Sequence, residues 1–403
     1  MKEITQIIRA FDEASRQGKG AALATVVHVQ GSSYRGAGAR MLITDDGRLT
    51  GAVSGGCLEG DALRKALMVI QQDTPLLVTY DTTEDDDSGI GMMLGCRGVI
   101  RVLIEPIRPG DAQNPVCVLK RLLEERSPAV LVTLFSLEEP RDPRQGTRIF
   151  ARNDPDGKGE GMFSGFGDAR LEDPALTCSL REDVRNVLGA GQPAFLKYGP
   201  GTGGVSAFLD YVKPPVSLVI GGAGNDALPL VEMARLMGWD TTVIDGRPSY
   251  ANNRRFASCH LIVAEPEKAQ LDRILDARTA CVVMSHNYHY DKALLRSLVA
   301  YDVPYIGMLG PKKKFERIVR ELTAEGLDLG TEKGERLYGP VGLDIGASTP
   351  EEIACSVIAE INMVFSGGTG RPLRTFAGKI HPPTRDIIER TRTQGTTALS
   401  NKS

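Results

Sequence analysis

Residues 216–245 constrain the fold most. They read VSLVI (216–220), GGAGNDA (221–227), LPLVEMARLMGW (228–239) and TTVID (241–245): an apolar strand, a glycine loop, a helix-like run and a second strand closed by an acid. Gly222-Ala223-Gly224-Asn225-Asp226-Ala227 is a G-x-G-x-x-A loop between strand and helix, the context a dinucleotide-binding fold requires. The first glycine makes the turn, Gly224 lets backbone amides approach a pyrophosphate, and the small Ala227 lets helix and strand pack. Asp245, roughly twenty residues on, is placed to accept a bond from a ribose hydroxyl. Further strands at 260–264, 279–285 and 304–309 alternate with helical stretches around 268–276, 291–301 and 312–325. That alternation predicts a parallel, doubly wound sheet. The loop suits a nucleotide or a pterin phosphate, but the same loop also occurs without a ligand, and Asp226 puts negative charge beside any phosphate.

In an open α/β sheet ligands lie at the carboxyl ends of strands. The loops Ser285-His286-Asn287, Gly310-Pro311-Lys312-Lys313-Lys314 and Gly342-Leu343-Asp344-Ile345-Gly346 all follow apolar stretches and should converge near Gly222 and Asp245. His286 is a general acid, a general base or a hydrogen-bond donor on one reading, and a local helix cap on the other. The three lysines open a helix against its dipole, which an anion would relieve, although a solvated basic turn is the more frequent explanation for such a run. Thr349-Pro350-Glu351-Glu352 has the order of an N-cap, a proline at the first helical position and a capping-box glutamate.

The first half of the chain echoes itself. AALATVV (21–27) is matched by AVLVTLF (129–135), and GARMLITDDGRLTGAVSG (38–55) by GTRIFARNDPDGKGEGMFSG (146–165). The helical ALRKALMVI (62–70) and strand-like VIRVLIEPI (99–107) are matched by LREDVRNVL (180–188) and VSAFLDYV (205–212). This order suggests a duplicated α+β half-domain; a coincidence of strand-rich patterns is the alternative. Lys213-Pro214-Pro215 forms a linker, since consecutive prolines resist helix and central strand alike. The expected organisation is a duplicated N-terminal domain over 1–213, with copies at about 18–108 and 126–213. A Rossmann-like domain over 214–365 and a tail over 366–403 follow.

The copies differ in chemistry. The first carries SGGCLEG (54–60) and LGCRG (94–98), whereas the second has SGFGDARLED (164–173) and no cysteine there. Gly55 and Gly56 allow a tight turn and close approach of a ligand, and the helical stretch that follows puts Cys57 near a helix N-terminus, where a thiolate is stabilised. The other five cysteines, Cys117, Cys178, Cys259, Cys281 and Cys355, read as small buried hydrophobes. A zinc site on Cys57 and Cys96 lacks further ligands nearby. Glu84-Asp85-Asp86-Asp87 holds a magnesium ion or is a solvated loop.

Bulk properties exclude several classes. The 403 residues carry a net charge of −3 and no basic block, which argues against nucleic acid. No apolar run approaches the roughly 18 residues that cross a bilayer. Seven scattered cysteines without a CxxC pair point to reduced thiols and a cytoplasmic protein.

GSSYRGAGARMLI (31–43), SGGCLEG, YDTTEDDD (80–87) and LGCRG, together with the loop at 222–227, SHNYHYD (285–291), YIGMLGPKKK (305–314) and GLDIGASTPEEIACSVIAEI (342–361), resemble the XdhC/CoxI proteins. These are maturation factors of xanthine dehydrogenase and carbon monoxide dehydrogenase, and the likeness runs in order over about 1–108 and 214–365. GRPLRTFAGKIH (370–381) is also similar to segments of the larger members. The resemblance implies a molybdenum cofactor (molybdopterin) chaperone that protects the cofactor, supports its sulfuration and delivers it to a molybdenum hydroxylase client. A sulfur-donating desulfurase is a further implied partner, and catalysis belongs to the client. Cys57 and Cys96 are then the cofactor and metal contacts, with Gly55 and Gly56 beside them and Arg35 and Arg40 placed to bind the pterin phosphate bidentately. In the second domain the contacts are Gly222, Gly224, Asp245, His286 and Asn287. Two departures bear on ligand geometry: Tyr34 stands where many members have proline, and Arg97 breaks a GCGG pattern. The expected ligand position is a cleft between the domains. The rival readings are an NAD(P)-dependent oxidoreductase with His286 as proton donor, and a docking scaffold whose nucleotide fold has lost its ligand. An edge-bearing sheet also leaves a homodimer open.

Overall fold

The computed structural model describes residues 1–31, 33–82, 98–108, 110–111, 114–142, 144–152, 163–164, 173–199, 204–329, 332–376 and 388–392. Cys96, Arg97 and the acidic run 84–87 lie outside the described residues. The chain starts with helix α1 (Lys2–Arg16), whose Ile4, Ile7, Ile8, Phe11 and Ala14 recur at helical spacing and are all buried. Strands β1 (Ala21–Gly31), β2 (Arg40–Thr44) and β3 (Leu49–Gly51), helix α2 (Glu59–Gln72) and strands β4 (Leu76–Asp81) and β5 (Gly98–Ile107) follow. Helix α3 (Pro115–Lys120) leads to β6 (Ala129–Ser136), β7 (Gly146–Arg152), β8 (Phe163–Ser164), α4 (Pro174–Ala190), β9 (Ala194–Tyr198) and β10 (Val205–Val212).

These strands form two antiparallel sheets of matching topology. The first has the order β3-β2-β1-β5-β4 and the second β8-β7-β6-β10-β9. Alternation along β1 explains the packing. Ala22, Ala24 and Val26 turn to one face and meet Ala62, Ala66 and Val69 of α2, while Leu23 turns to the other and joins the buried face of α1. In the second sheet Val130, Val132 and Leu134 likewise meet Leu180, Val184 and Val187 of α4. Val27, Leu77 and Leu103 of the first sheet and Phe135, Phe195 and Phe208 of the second share one apolar cluster, so the two halves pack through their sheets.

The second unit begins at residue 215. It contains β11 (Ser217–Gly221), α5 (Ala227–Met237), β12 (Asp240–Ile244), β13 (His260–Ile262), β14 (Thr279–Val283), α6 (Tyr288–Leu298), β15 (Tyr305–Met308), α7 (Lys312–Ala324), α8 (Glu332–Glu335), β16 (Leu337–Tyr338) and α9 (Pro350–Ser366). Its sheet is parallel throughout, in the order β13-β12-β11-β14-β15-β16. This is the dinucleotide-binding order, with the topological switch point between β11 and β14. Leu218, Ile220 and Val282 face α5 and α9, and Val219, Cys281 and Val283 face α6 and α7, so helices cover both sides.

Three local features differ from expectation. No helix forms over 268–276: single 3-10 turns occupy Pro266–Lys268 and Leu271–Arg273, and Gln270 between them has a left-handed φ of 47°, which ends a helix. Cys178 and Cys355 are exposed on their helices rather than buried. Cys281 is fully buried, and that burial pushes its thiol pKa up. The segment after residue 365 is not one separate tail. Strand β17 (Ile388–Arg392) pairs in parallel with β9 and extends the second antiparallel sheet.

Candidate functional site

In the first unit the SGGC turn is held from within. Ser54 Oγ accepts from the backbone N–H groups of Gly56, Cys57 and Leu58 at 3.3, 3.2 and 3.0 Å. Its hydroxyl donates to Glu59 Oε2 at 2.5 Å, while the Ser54 N–H donates to Glu59 Oε1 at 2.8 Å. Burial alone would raise the Glu59 carboxyl, but the side-chain and backbone hydrogen bonds from Ser54 outweigh it and hold it below the ordinary glutamate range. Glu59 also opens α2, where a negative charge complements the helix dipole. Gly56 has a φ of 110°, a conformation side chains rarely adopt. The result is a braced turn that leaves Cys57 exposed.

The GSSYRG loop lies against this turn. The Tyr34 ring packs on Gly55, where a methyl group would fall 3.2 Å from its Cγ, and yet Tyr34 is 75% exposed. An exposed aromatic ring and an exposed thiol therefore flank one glycine pair. Arg35 donates to Glu3 Oε2 of α1 at 2.5 Å, which ties the loop to the N-terminal helix and leaves the guanidinium partly accessible. Arg40 is different. Its guanidinium is 3% exposed and donates to Asp210 Oδ2 of β10 at 2.7 Å and to the Gly38 carbonyl at 2.9 Å. The sequence offered Arg40 to a phosphate, whereas the fold commits it to a buried ion pair joining the two halves.

In the second unit the loops after β11 and β14 meet at the switch point. Gly222 has a φ of 122°, and a Cβ there would lie 2.5 Å from Ser285 Cα, so only glycine allows this crossing. His286 Nε2 donates to Asp226 Oδ2 at 2.8 Å, and Gly224 faces the same imidazole. His286 itself has a left-handed φ of 61°, uncommon for a residue with a side chain and of the sort found at ligand loops. Asn287 caps α6, accepting from the N–H groups of His289 and Tyr290. Helix capping, one of the two readings for His286, falls instead to Asn287.

Asp245 has little left for a ribose. Its carboxylate accepts from the Ala223 N–H at 2.8 Å, the Arg247 N–H at 2.9 Å and the Arg247 guanidinium at 2.7 and 2.9 Å. Burial would raise this carboxyl; the Arg247 hydrogen bonds and the Ala223 amide prevail and lower it. Arg255 adds bonds to the Ala223 carbonyl and to Asn225 Oδ1, pinning the glycine loop from a second side. Lys314, one of the three helix-opening lysines, is neutralised by the buried carboxylate of Asp291, which also accepts from Ser285. Arg247 and Arg255 had no signal in the loop motif, since arginines at those positions look like ordinary surface charge.

Among the described residues no group of three or more His, Cys, Asp or Glu is placed to hold a metal ion, so a metal at Cys57 would depend on donors from its own ligand or from elsewhere. No helix among them is long and apolar enough to cross a membrane.

Comparison with known proteins agrees with these motifs. Residues 14–81 match the XdhC and CoxI family, and residues 218–361 match the XdhC Rossmann domain. A probable xanthine dehydrogenase subunit from Bacillus subtilis (strain 168) is 32% identical over 342 residues, which cover 85% of this chain and 92% of that protein. The molybdenum cofactor insertion chaperone PaoD of Escherichia coli (strain K12) is 24% identical over 358 residues, 89% of this chain and 87% of the relative. A crystal structure described as a xanthine dehydrogenase from Bacillus halodurans superposes with a TM-score of 0.68 at 27% identity, covering 92% of this chain and 98% of that one. Two family matches and a relative aligned over nearly its whole length make this chain a member of the XdhC/CoxI family.

Proposed function

We propose that the protein is a molybdenum cofactor chaperone that holds the cofactor at the Cys57 turn and passes it to a molybdenum hydroxylase of the xanthine-dehydrogenase type. One observation carries the reading: a thiol exposed on a turn braced by Ser54 and Glu59, with the exposed Tyr34 ring packed on its Gly55 and followed by Arg35, whose Glu3-paired guanidinium is partly accessible. A soft sulfur ligand, a flat aromatic face and a guanidinium match a soft metal centre, a planar pterin and its phosphate. Likeness to a protein named as a molybdenum cofactor insertion chaperone supports the same role. Catalysis stays with the client, and a desulfurase supplies the sulfur of the mature cofactor. The nicotinamide reading is weaker, because the Asp245 carboxylate that would take a ribose is occupied by Arg247 and Ala223.

The test is expression in a molybdenum-replete host, with molybdenum and oxidised pterin measured per protein. Cys57→Ala should lower bound molybdenum by about tenfold or more, the range seen when a metal's supporting groups are lost. Unchanged loading would remove Cys57 from the ligand.

A further inference from the structure

The duplication of the first unit supplies an internal comparison for its surface. Ala62, Ala66 and Val69 on the buried face of α2 correspond to Leu180, Val184 and Val187 of α4. The same match sets Leu67 and Met68 of α2 against Arg185 and Asn186 of α4, and all four residues are exposed. Polar residues are what a solvated helix face carries, and α4 follows that rule. In the copy that bears the cysteine, two large apolar side chains stand there instead, Leu67 37% and Met68 44% exposed. Single exposed apolar residues are ordinary, whereas an adjacent pair that only one of two matching helices presents belongs to what sets the copies apart.

Their place along α2 connects them to the thiol. Gly60, Arg64, Leu67 and Gln71 recur at intervals of four, three and four, with Met68 beside Leu67, and all are exposed. They therefore form one stripe, ~17 Å long. Cys57 stands three residues before Gly60, at the end of the stripe where α2 begins.

The charges of the helix are unequally placed. Glu59 is engaged by Ser54, and the Asp61 carboxylate is shared by Lys65, Arg64 and the Tyr80 hydroxyl. Arg64 meets that shared carboxylate at 3.2 Å with its own side chain 78% exposed. The most exposed charge of α2 is thus a cation, set between Cys57 and the apolar pair. Such a stripe is complementary to a protein surface that offers apolar side chains and a carboxylate.

Interface size then brings in the cysteine turn. A standard interface takes about 800 Å² from each partner, a patch on the order of 30 Å across. A partner centred on Leu67 and Met68, ~15 Å along the helix from Cys57, reaches the thiol within that footprint. A second copy of this chain on the same stripe would shut the turn against delivery, so the occupant that fits is the protein that receives the cargo.

We infer that the exposed stripe of α2 is the docking surface for the recipient hydroxylase, with Leu67 and Met68 as apolar anchors and Arg64 meeting an acidic group. The identity of the partner rests on the chaperone reading; the comparison of α2 with α4 that marks the surface does not.

The experiment measures binding of the full chain to a purified xanthine-dehydrogenase-type hydroxylase produced without molybdenum, by interferometry on the immobilised hydroxylase. Leu67→Arg with Met68→Asn copies what α4 carries at the same exposed positions, so the helix tolerates it. This variant should bind at least about tenfold more weakly, the loss expected of central interface residues, while molybdenum loaded per protein stays unchanged. Arg64→Glu should also weaken binding, and the unaltered protein should lose affinity with rising salt more steeply than Arg64→Glu does. Unchanged affinity in the double variant, or no binding by the unaltered protein, would overturn the inference. So would a dimer of the unaltered protein that the double variant dissolves, since the stripe would then belong to a second copy. Molybdenum loading in Cys57→Ala tests the chaperone reading by a separate readout, so either can fail while the other stands.

Discussion

Ser54→Ala probes the brace under the cysteine turn. The hydroxyl accepts three amide hydrogens and donates one of its own to Glu59. Gly56 and Cys57 are exposed, so their amides recover hydrogen bonds from water at little cost. Leu58 is 3% exposed, and its amide would lose an acceptor that water does not readily replace. Adding that desolvated amide to the lost charge-assisted bond at Glu59 gives about 2–3 kcal/mol of local destabilisation. With roughly 1.4 kcal/mol per tenfold, amide exchange over 56–58 should accelerate about 30- to 140-fold while exchange in β1 and β5 stays as it is. Hydrogen exchange read by mass spectrometry on a peptide covering the turn measures this directly. The partner change, Glu59→Gln, adds a pH test. Because the folded carboxyl titrates below its ordinary value near 4.5, its stabilisation is complete above that value and is lost as pH falls through the lowered one. Opening of the turn should therefore increase in acid in the unaltered protein, and that slope should vanish in Glu59→Gln. Exchange at 56–58 unaffected by Ser54→Ala, or strictly additive effects of the two changes, would refute the reasoning.

Two stability tests address the rest of the scaffold. Asp210→Ala strands a buried guanidinium and should destabilise the first unit by about 3 kcal/mol, at the low end for a broken buried pair because Arg40 keeps its bond to Gly38. Replacing both partners with apolar residues, Arg40→Met and Asp210→Leu, should recover most of that loss in denaturant titrations. Gly222→Ala puts a methyl group 2.5 Å from the Ser285 backbone at a left-handed φ, and should cost more than about 3 kcal/mol, seen as early proteolysis of the second unit.

Much of the architecture is legible without coordinates. The strand–loop–helix order of 216–245 and the capping box at Thr349 and Glu352 are both where local pattern puts them. The short strands β4, β9 and β16 were not legible. Two to six residues with mixed polarity carry little periodicity, and their place comes from pairing with a longer neighbour. The failed helix at 268–276 is the reverse case, with helical composition overridden by a left-handed Gln270.

Local order was enough for the longer elements, for the parallel sheet of the second unit and for the motifs that place the chain in its family, because strand and helix periods and turn chemistry act over a few neighbouring residues. Tertiary structure alone decided which polar groups are already engaged. Arg40 meets Asp210 from 170 positions away, the Ala223 amide reaches the Asp245 carboxylate from 22, and His286 reaches Asp226 from 60. A charged side chain takes whichever partner the folded backbone delivers, and long-range delivery leaves no trace in local order; Cys57 stays exposed because its turn satisfies its own amides.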